Sequence, residues 1–237
     1  MPTIKKRGSA VKIQQEQEIV TLAHKVQHAL AGYQKQLRIA AVAAAVALVL
    51  IAGYAMFRSS QEQKAAPLVA AAYEFYSPST GASADYGKAL DLFRDAQKKY
   101  PHTTSGAVAQ YYAGNCLVSL GRADEALKEY QAFVHTYSRD KYLLGLVYQR
   151  MAYVYEGQGK LADARKAFQQ AEALTGPGVA TVELARLYEA AGNMPEAEAK
   201  YKVVMEKLGG TTWSMNAMGK VQKIMPAPQP GEAKTTK

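Results

Sequence analysis

The sequence predicts an all-α protein with one N-terminal transmembrane helix, then an α-solenoid of about four helix pairs, and a capping helix. Two observations support this prediction. The 19 residues 39–57 carry no charge, and an Ala-x3-Phe/Tyr pattern then recurs four times at intervals of 33 to 38 residues. A third observation is the composition, 49% hydrophobic and 21% charged, which excludes a wholly disordered chain. The single cysteine excludes an intrachain disulfide framework.

Residues 1–37 form a basic segment that we expect to lie in the cytoplasm. Up to Arg38 the chain holds seven Lys or Arg residues and two Glu residues. Apolar residues recur there at intervals of three to four, from Ile13 to Leu37, which predicts a partly amphipathic helix. Such a helix could lie on the anionic membrane surface, dock a partner helix, or simply continue the span.

Residues 38–58 are predicted to cross the membrane. The uncharged run inside them would span roughly 28 Å as a helix, close to the thickness of the hydrocarbon core. A buried core helix is disfavoured because the run is long and has no polar face. A cleaved signal peptide is disfavoured because 38 residues precede the run, which is itself longer than the usual apolar region. Ala41 and Ala45 form a small-x3-small pair that would permit homo-oligomers.

The charges on either side of the span predict its orientation. Basic residues are concentrated before it, and only Arg58 and Lys64 follow closely. The positive-inside rule then places the N-terminus in the cytoplasm and the C-terminal part in the periplasm, if the membrane is a bacterial inner membrane.

Residues 59–210 contain four copies of one pattern. Three copies have a glycine five residues before the repeated alanine and a small residue twelve before it. Small residues allow close helix approach, and glycine permits a left-handed conformation where a helix ends. Helix pairs of this kind stack into a solenoid, because no single pair buries its own apolar face. The four core segments are Ala89–Phe93, Ala126–Tyr130, Ala164–Phe168 and Ala197–Tyr201.

This pattern resembles the tetratricopeptide repeat, and the third copy, from Ala152 to Ala171, matches it best. The two helices of each pair are called A and B in chain order. In the first copy, helix A around residues 64–76 is divergent from the repeat pattern and is followed by a polar loop, Ser77 to Ala84. Residues 211–225 are predicted to be an amphipathic capping helix that includes Trp213, Met215 and Met218. The last residues, 226–237, are predicted to be a disordered tail because of their prolines, glycine and lysines.

No catalytic constellation is found in the sequence. It has no phosphate-binding glycine loop, no nucleophile elbow and no zinc-protease motif. Residues 58–205 hold 17 basic and 16 acidic residues, so a nucleic-acid partner is not expected. Cys116 is predicted to pack in the core rather than to act as a nucleophile. The sequence therefore predicts a protein that is not an enzyme, with no cofactor and no metal site.

The resemblance implies a concave groove lined by the A helices. Tyrosine and arginine, which dominate binding energy at interfaces, are frequent at the corresponding positions, although some of these tyrosines could instead belong to the core. We expect such a groove to bind an extended or helical segment of a partner protein. The groove residues inferred in this way are Tyr111, Tyr112, Asn115, Gln149, Arg150, Tyr153, Glu183 and Arg186.

One groove type of the family can be tested in the sequence. Its chaperone-tail clamp holds a C-terminal carboxylate with Lys and Asn residues. Gly114 and Asn115 match one clamp pair, but Tyr111 stands where Lys is expected and Arg150 where a second Asn is expected. We therefore expect that this clamp is absent.

The whole layout resembles the YfgM-like family of single-pass inner-membrane proteins with a periplasmic repeat domain. That resemblance implies a scaffold ancillary to the Sec translocon, whose partners would be translocon subunits, periplasmic chaperones or exported clients. Alternatives are a cytochrome-maturation or envelope-assembly factor, a soluble periplasmic binding module released by cleavage, and an enzyme with an unrecognised site.

Overall fold

The computed structural model describes residues 33–224, which form nine helices and no strand. This confirms the predicted fold class. Two contact units make up the chain, Met1–Ser59 and Ser60–Lys237. The amphipathic helix predicted within residues 1–37 falls largely outside the described residues, and so do Met225 of the predicted cap and the predicted tail 226–237.

The helices are numbered here in chain order. They are α1 (Gln34–Tyr76), α2 (Tyr86–Lys99), α3 (Thr104–Ser119), α4 (Ala123–Thr136), α5 (Lys141–Gly157), α6 (Leu161–Thr175), α7 (Val179–Ala190), α8 (Met194–Lys207) and α9 (Thr212–Ile224).

Helix α1 is 43 residues long and contains the uncharged run 39–57. Within residues 33–224 it is the one helix that is both long enough and apolar enough to cross a membrane. The large apolar side chains of the run, such as Leu48, Val49 and Ile51, are exposed. Pro67 lies inside this helix, which ends at Tyr76, so the first A helix predicted around residues 64–76 is helical to its last residue.

In the second unit the repeated alanine and aromatic residues form the core, as the sequence predicted. The four alanines have no exposed surface, and neither do Phe93, Tyr130 and Phe168, while Tyr201 is 5% exposed. A ring of this size contributes most of the apolar area that each helix pair buries. The alanines are Ala89, Ala126, Ala164 and Ala197.

The A-to-B turns of the last three pairs share one backbone conformation. Gly121, Gly159 and Gly192 have φ of 74°, 74° and 73°, which is the left-handed region that glycine adopts without steric cost. In the first of these turns the Arg122 N–H donates to the Leu117 carbonyl at 2.8 Å and the Gly121 N–H donates to Val118 at 3.0 Å. The other two turns repeat this Schellman pattern. The predicted role of these glycines is confirmed.

A carboxylate of α1 caps the first turn of α3. Glu62 accepts from the backbone N–H groups of Thr104 and Ser105 at 2.7 and 3.0 Å, and from the Ser105 hydroxyl at 2.5 Å. A negative charge at this position satisfies N–H groups that have no partner inside the helix, and it complements the helix dipole. The contact therefore fixes the part of α1 around Glu62 against the second helix pair.

Helices α3 and α4 approach each other closely at Gly114. A Cβ atom built there would lie 2.3 Å from Cε1 of Tyr130, so only glycine fits against this ring. The Tyr130 hydroxyl donates to Oδ1 of Asn115 at 2.6 Å, which satisfies the buried phenol. Desolvation by burial raises the pKa of Tyr130 well above its usual range.

Helix α9 packs against the last helix pair through two small residues and through Val221 and Ile224, rather than through its tryptophan and methionines. Ser214 and Ala217 are buried, whereas Trp213, Met215 and Met218 are exposed. The buried stripe of α9 belongs to the same apolar cluster as Val204 of α8. Small side chains permit this contact, and the bulky residues therefore lie on its flanks.

We predict that Gly114→Ala destabilises the protein by about 1–3 kcal/mol, because the added methyl group collides with the buried Tyr130 ring. Urea unfolding followed by circular dichroism measures this difference. The control is Gly219→Ala in α9, where a Cβ meets no atom within 4 Å and the substitution should stabilise the helix. Equal stability of Gly114→Ala and the wild type would contradict the close packing described here.

Candidate partner-binding groove

A cavity of about 140 Å³ opens between α1, α3 and α5. Its walls come from the last residue of α1 and from the C-terminal halves of α3 and α5. It brings together three of the groove residues inferred from the sequence, Asn115, Arg150 and Tyr153. The lining residues are Tyr76, Asn115, Val118, Ser119, Arg150, Tyr153 and Val154.

Arg150 is the one cation on the cavity wall. Its Nε donates to the Tyr111 hydroxyl at 3.2 Å. Within residues 33–224, no carboxylate lies within ion-pair distance of its guanidinium group. Tyr111 is only 8% exposed, so it orients Arg150 from below rather than forming the surface. The terminal N–H groups of Arg150 are therefore the strongest hydrogen-bond donors that the cavity offers.

Asn115 supplies a second donor to the cavity. Its side chain is buried, and its Oδ1 accepts from the Tyr130 hydroxyl. Because the carbonyl oxygen of the amide already accepts this hydrogen bond, the NH₂ group is the part of Asn115 that can donate to a ligand in the cavity. The core tyrosine thereby fixes which end of the Asn115 amide a ligand would meet.

Tyr112 lies in an aromatic cluster rather than on the cavity wall. Its ring stacks on Phe93 at 5.4 Å between centroids and makes edge contacts with Tyr76 at 5.1 Å and Tyr73 at 5.2 Å. Desolvation raises the pKa of Tyr112 to about 12, and neighbouring tyrosines add to the shift. The sequence left open whether these tyrosines line the groove or belong to the core. Tyr112 belongs to the packing between the first two helix pairs.

The remaining inferred residues form a polar bridge between α5 and α7. The Tyr153 hydroxyl donates to Oε1 of Glu183 at 3.3 Å, and Arg186 donates to Glu183 and to Glu156 at 2.7 Å. Burial raises the pKa of Tyr153, and the Glu183 charge adds to this effect, so the phenol stays protonated. Gln149 lies one turn before Tyr153 and is half-buried. Because Arg186 is partly exposed, its ion pairs contribute little to stability.

The sequence did not single out several residues that take part in this surface. Tyr76 was missed because the first copy diverges from the repeat pattern. Val118, Ser119 and Val154 lie one helix turn or less beyond the positions that the family analogy supplied. Glu156 could have been found in the same way, since it lies three residues after Tyr153 on α5.

A second polar cluster joins α7, α8 and α9. Glu189 accepts from the Tyr201 hydroxyl at 2.7 Å and from Nζ of Lys220 at 2.8 Å. The Lys220 hydrogen bond, followed by that of Tyr201, lowers the pKa of Glu189. This carboxylate therefore links the capping helix to the last helix pair.

The thiol of Cys116 is not suited to act as a nucleophile. Cys116 has no exposed surface, and burial raises the pKa of its thiol to about 12. Such a thiol carries almost no thiolate at neutral pH. Within residues 33–224, no group of three or more His, Cys, Asp or Glu side chains is arranged to hold a metal ion.

Comparisons with known proteins agree with this geometry. The family model described as a tetratricopeptide repeat-like domain matches residues 31–223. A tetratricopeptide repeat protein from Parabacteroides merdae superposes with a TM-score of 0.55 at 16% identity, over 68% of this chain. The match covers 60% of that protein's chain. At this identity the likeness shows the fold alone.

Two further solved structures are similar at lower scores. A putative kinesin light chain with tetratricopeptide-like repeats from Podosopora anserina has a TM-score of 0.48 at 16% identity, over 70% of this chain and 84% of its own. YrrB, a tetratricopeptide repeat protein with an unusual peptide-binding site, has a TM-score of 0.45 at 18% identity, over 56% of this chain and 66% of its own. No curated protein matches this chain significantly.

The Glu189 cluster generates a pH-dependent prediction. A lowered pKa in the folded state means that Glu189 stabilises the fold above its unfolded pKa of about 4.3, and that this contribution is lost as the pH falls through the folded value. We expect Glu189→Gln to lower the free energy of unfolding by about 1 kcal/mol at pH 7. The difference from the wild type should shrink steadily below pH 4.

Urea titrations at pH 7, 5 and 3 measure this dependence. The matched control is Asp91→Asn on α2, an exposed carboxylate with no ion pair among the described residues, which should change stability little at any pH. A Glu189→Gln deficit that stays constant down to pH 3 would show that the charge of Glu189 does not carry the effect.

Proposed function

Because the chain belongs to the tetratricopeptide repeat-like domain family, we propose that it is a membrane-anchored, non-catalytic scaffold that binds a partner polypeptide. The family accounts for the general role, since tetratricopeptide repeats are typically protein-interaction modules. The groove bounded by α3 and α5 is the proposed binding site. The observation that carries this proposal is the cavity in which Arg150 and Asn115 present hydrogen-bond donors beside apolar walls.

The size and chemistry of the cavity favour one class of ligand. A volume of about 140 Å³ is below the range of roughly 300–1,000 Å³ typical of small-molecule pockets. It suits one or two side chains of a longer segment. Arg150 and the Asn115 amide donate hydrogen bonds, so they suit backbone carbonyls or an acidic side chain. We therefore propose that the partner binds as an extended segment, with its acceptors facing α5.

The proposed location is the bacterial inner membrane. The apolar run in α1 would provide the span, with the basic N-terminal segment in the cytoplasm and the repeats in the periplasm. Proposed partners are translocon subunits, periplasmic chaperones or exported clients, as the resemblance to the YfgM-like family implies. The same layout supports the proposal that the scaffold acts where secreted proteins emerge.

Photocrosslinking in cells tests partner binding. A photoreactive residue placed at Ser119 or Tyr153, both on the cavity wall, should capture the same partner polypeptides. The control position is Lys128, which is exposed on α4. Crosslinked proteins are identified by mass spectrometry of the membrane fraction. The same products from Lys128 and Ser119, or none from either cavity position, would contradict the proposed groove.

Substitution of the groove tests the role of Arg150. Arg150→Glu combined with Tyr153→Ala should reduce partner capture at Ser119 at least tenfold, because the variant loses the cationic donor and an aromatic wall. Circular dichroism should show unchanged helix content, since Arg150 is exposed and Tyr153 is only half-buried. Undiminished capture by this variant would place binding elsewhere.

Labelling of single cysteines tests the proposed topology. In a Cys116→Ala background, a membrane-impermeant maleimide should label Ser119→Cys in intact spheroplasts. It should label Ser9→Cys only after the membrane is permeabilised. Labelling of Ser9→Cys in intact spheroplasts, or a shortened soluble product, would contradict a retained anchor with a cytoplasmic N-terminus.

A further inference from the structure

We propose that residues 225–237 of this chain occupy the groove when no partner is bound, with the carboxylate of Glu232 paired to Arg150. The inference concerns the regulation of the proposed binding site and rests on the function proposed above. It follows from the position at which α9 ends, from the length of the segment beyond it and from the chemistry of the cavity.

The end of α9 lies on the same edge of the solenoid as the cavity. Polar contacts between alternate helices mark one continuous layer, in which Lys220 of α9 reaches Glu189 of α7, and Arg186 of α7 reaches Glu156 of α5. Alternate helices of an antiparallel stack run parallel, so their C-terminal ends share one edge. The cavity is built from the C-terminal halves of α3 and α5. The chain therefore leaves Ile224 along the edge on which the cavity opens.

The segment is long enough to reach Arg150. If alternate helices lay about 8–10 Å apart, as directly packed helices do, the two steps from α9 to α7 and from α7 to α5 would require roughly 16–20 Å. Arg150 lies a further six residues back along α5 from Glu156. Glu232 comes eight residues after Ile224. At about 3.1 Å per residue, a polyproline II segment of that length covers roughly 25 Å. The segment must therefore also run back along α5, so residues nearer to α9 than Glu232 have too little length to approach Arg150.

The charges of the two partners match. Glu232 is the sole acidic residue in the sequence 225–237. Arg150 has no carboxylate partner within residues 33–224, and its terminal N–H groups line the cavity. A carboxylate paired with guanidinium in a partly enclosed site makes a strong, charge-assisted contact.

The prolines of the segment suit the same surface. Pro226, Pro228 and Pro230 alternate with other residues and favour polyproline II, an extended form that recognition grooves lined by aromatic residues bind. Proline has no backbone N–H, so Pro226, Pro228 and Pro230 present only their carbonyl acceptors. The Asn115 amide and the Arg150 guanidinium supply the complementary donors. Occupancy by this segment would lower the apparent affinity of a partner in proportion to the fraction of free groove.

Disulfide trapping in the purified full chain tests the inference without any partner present. In a Cys116→Ala background in detergent, the pair Ser119→Cys and Ala233→Cys joins the cavity wall to the segment. The control pair is Lys128→Cys and Ala233→Cys, in which the first site lies on α4 of the same repeat. Under mild oxidation we expect the cavity pair to form an intramolecular disulfide at least tenfold faster. Glu232→Lys should slow that reaction at least fivefold.

Two results would overturn the inference. The first is equal oxidation rates for the cavity and control pairs, and the second is disulfide dimers as the main product of the cavity pair. An unchanged rate in Glu232→Lys would overturn the pairing with Arg150. The trapping experiment contains no partner, so it is independent of the proposed function. If the disulfide forms rapidly but photocrosslinking in cells captures no partner, the intramolecular contact is supported and the scaffold function is refuted.

Discussion

Contact between helices at alanine or glycine, with one large ring beside it, is the interaction on which this solenoid depends. Ala89, Ala126 and Ala164 lose all their exposed surface because the facing helix comes close enough to exclude water. At Gly114 the contact is tighter still, since the Tyr130 ring occupies the space that a Cβ would take. The ring then supplies buried apolar area that small residues alone cannot provide.

The polar surface of the groove depends on this core. Tyr130 is held against Gly114, and its hydroxyl fixes the Asn115 amide that faces the cavity. Tyr111 is buried in the same layer and orients Arg150. A change in core packing at the second pair would therefore alter the position of the donors that line the cavity.

Repeated positions were predictable because each has a single physical requirement. An alanine that recurs with an aromatic residue four positions later implies a close contact, and a glycine such as Gly159 implies a left-handed turn. The positions that differ from expectation depend on neighbours that have no fixed spacing in the sequence. Tyr112 joins an aromatic cluster because Phe93 and Tyr76 lie opposite it. Met215 is exposed because the small residues of α9 make the contact with α8 instead.

The uniform A-to-B turns have a consequence for how the chain tolerates change in length. The same three-residue connection follows α3, α5 and α7, whereas those helices have 16, 17 and 12 residues. The repeated alanines are separated by 37, 38 and 33 residues. These differences lie in the lengths of the A helices and of the connections between pairs. Within this chain, the differences in length between copies therefore fall in the helices that carry the proposed groove and in the connections between pairs. Successive copies can thus offer a partner different surfaces while they share one turn conformation and one buried ring.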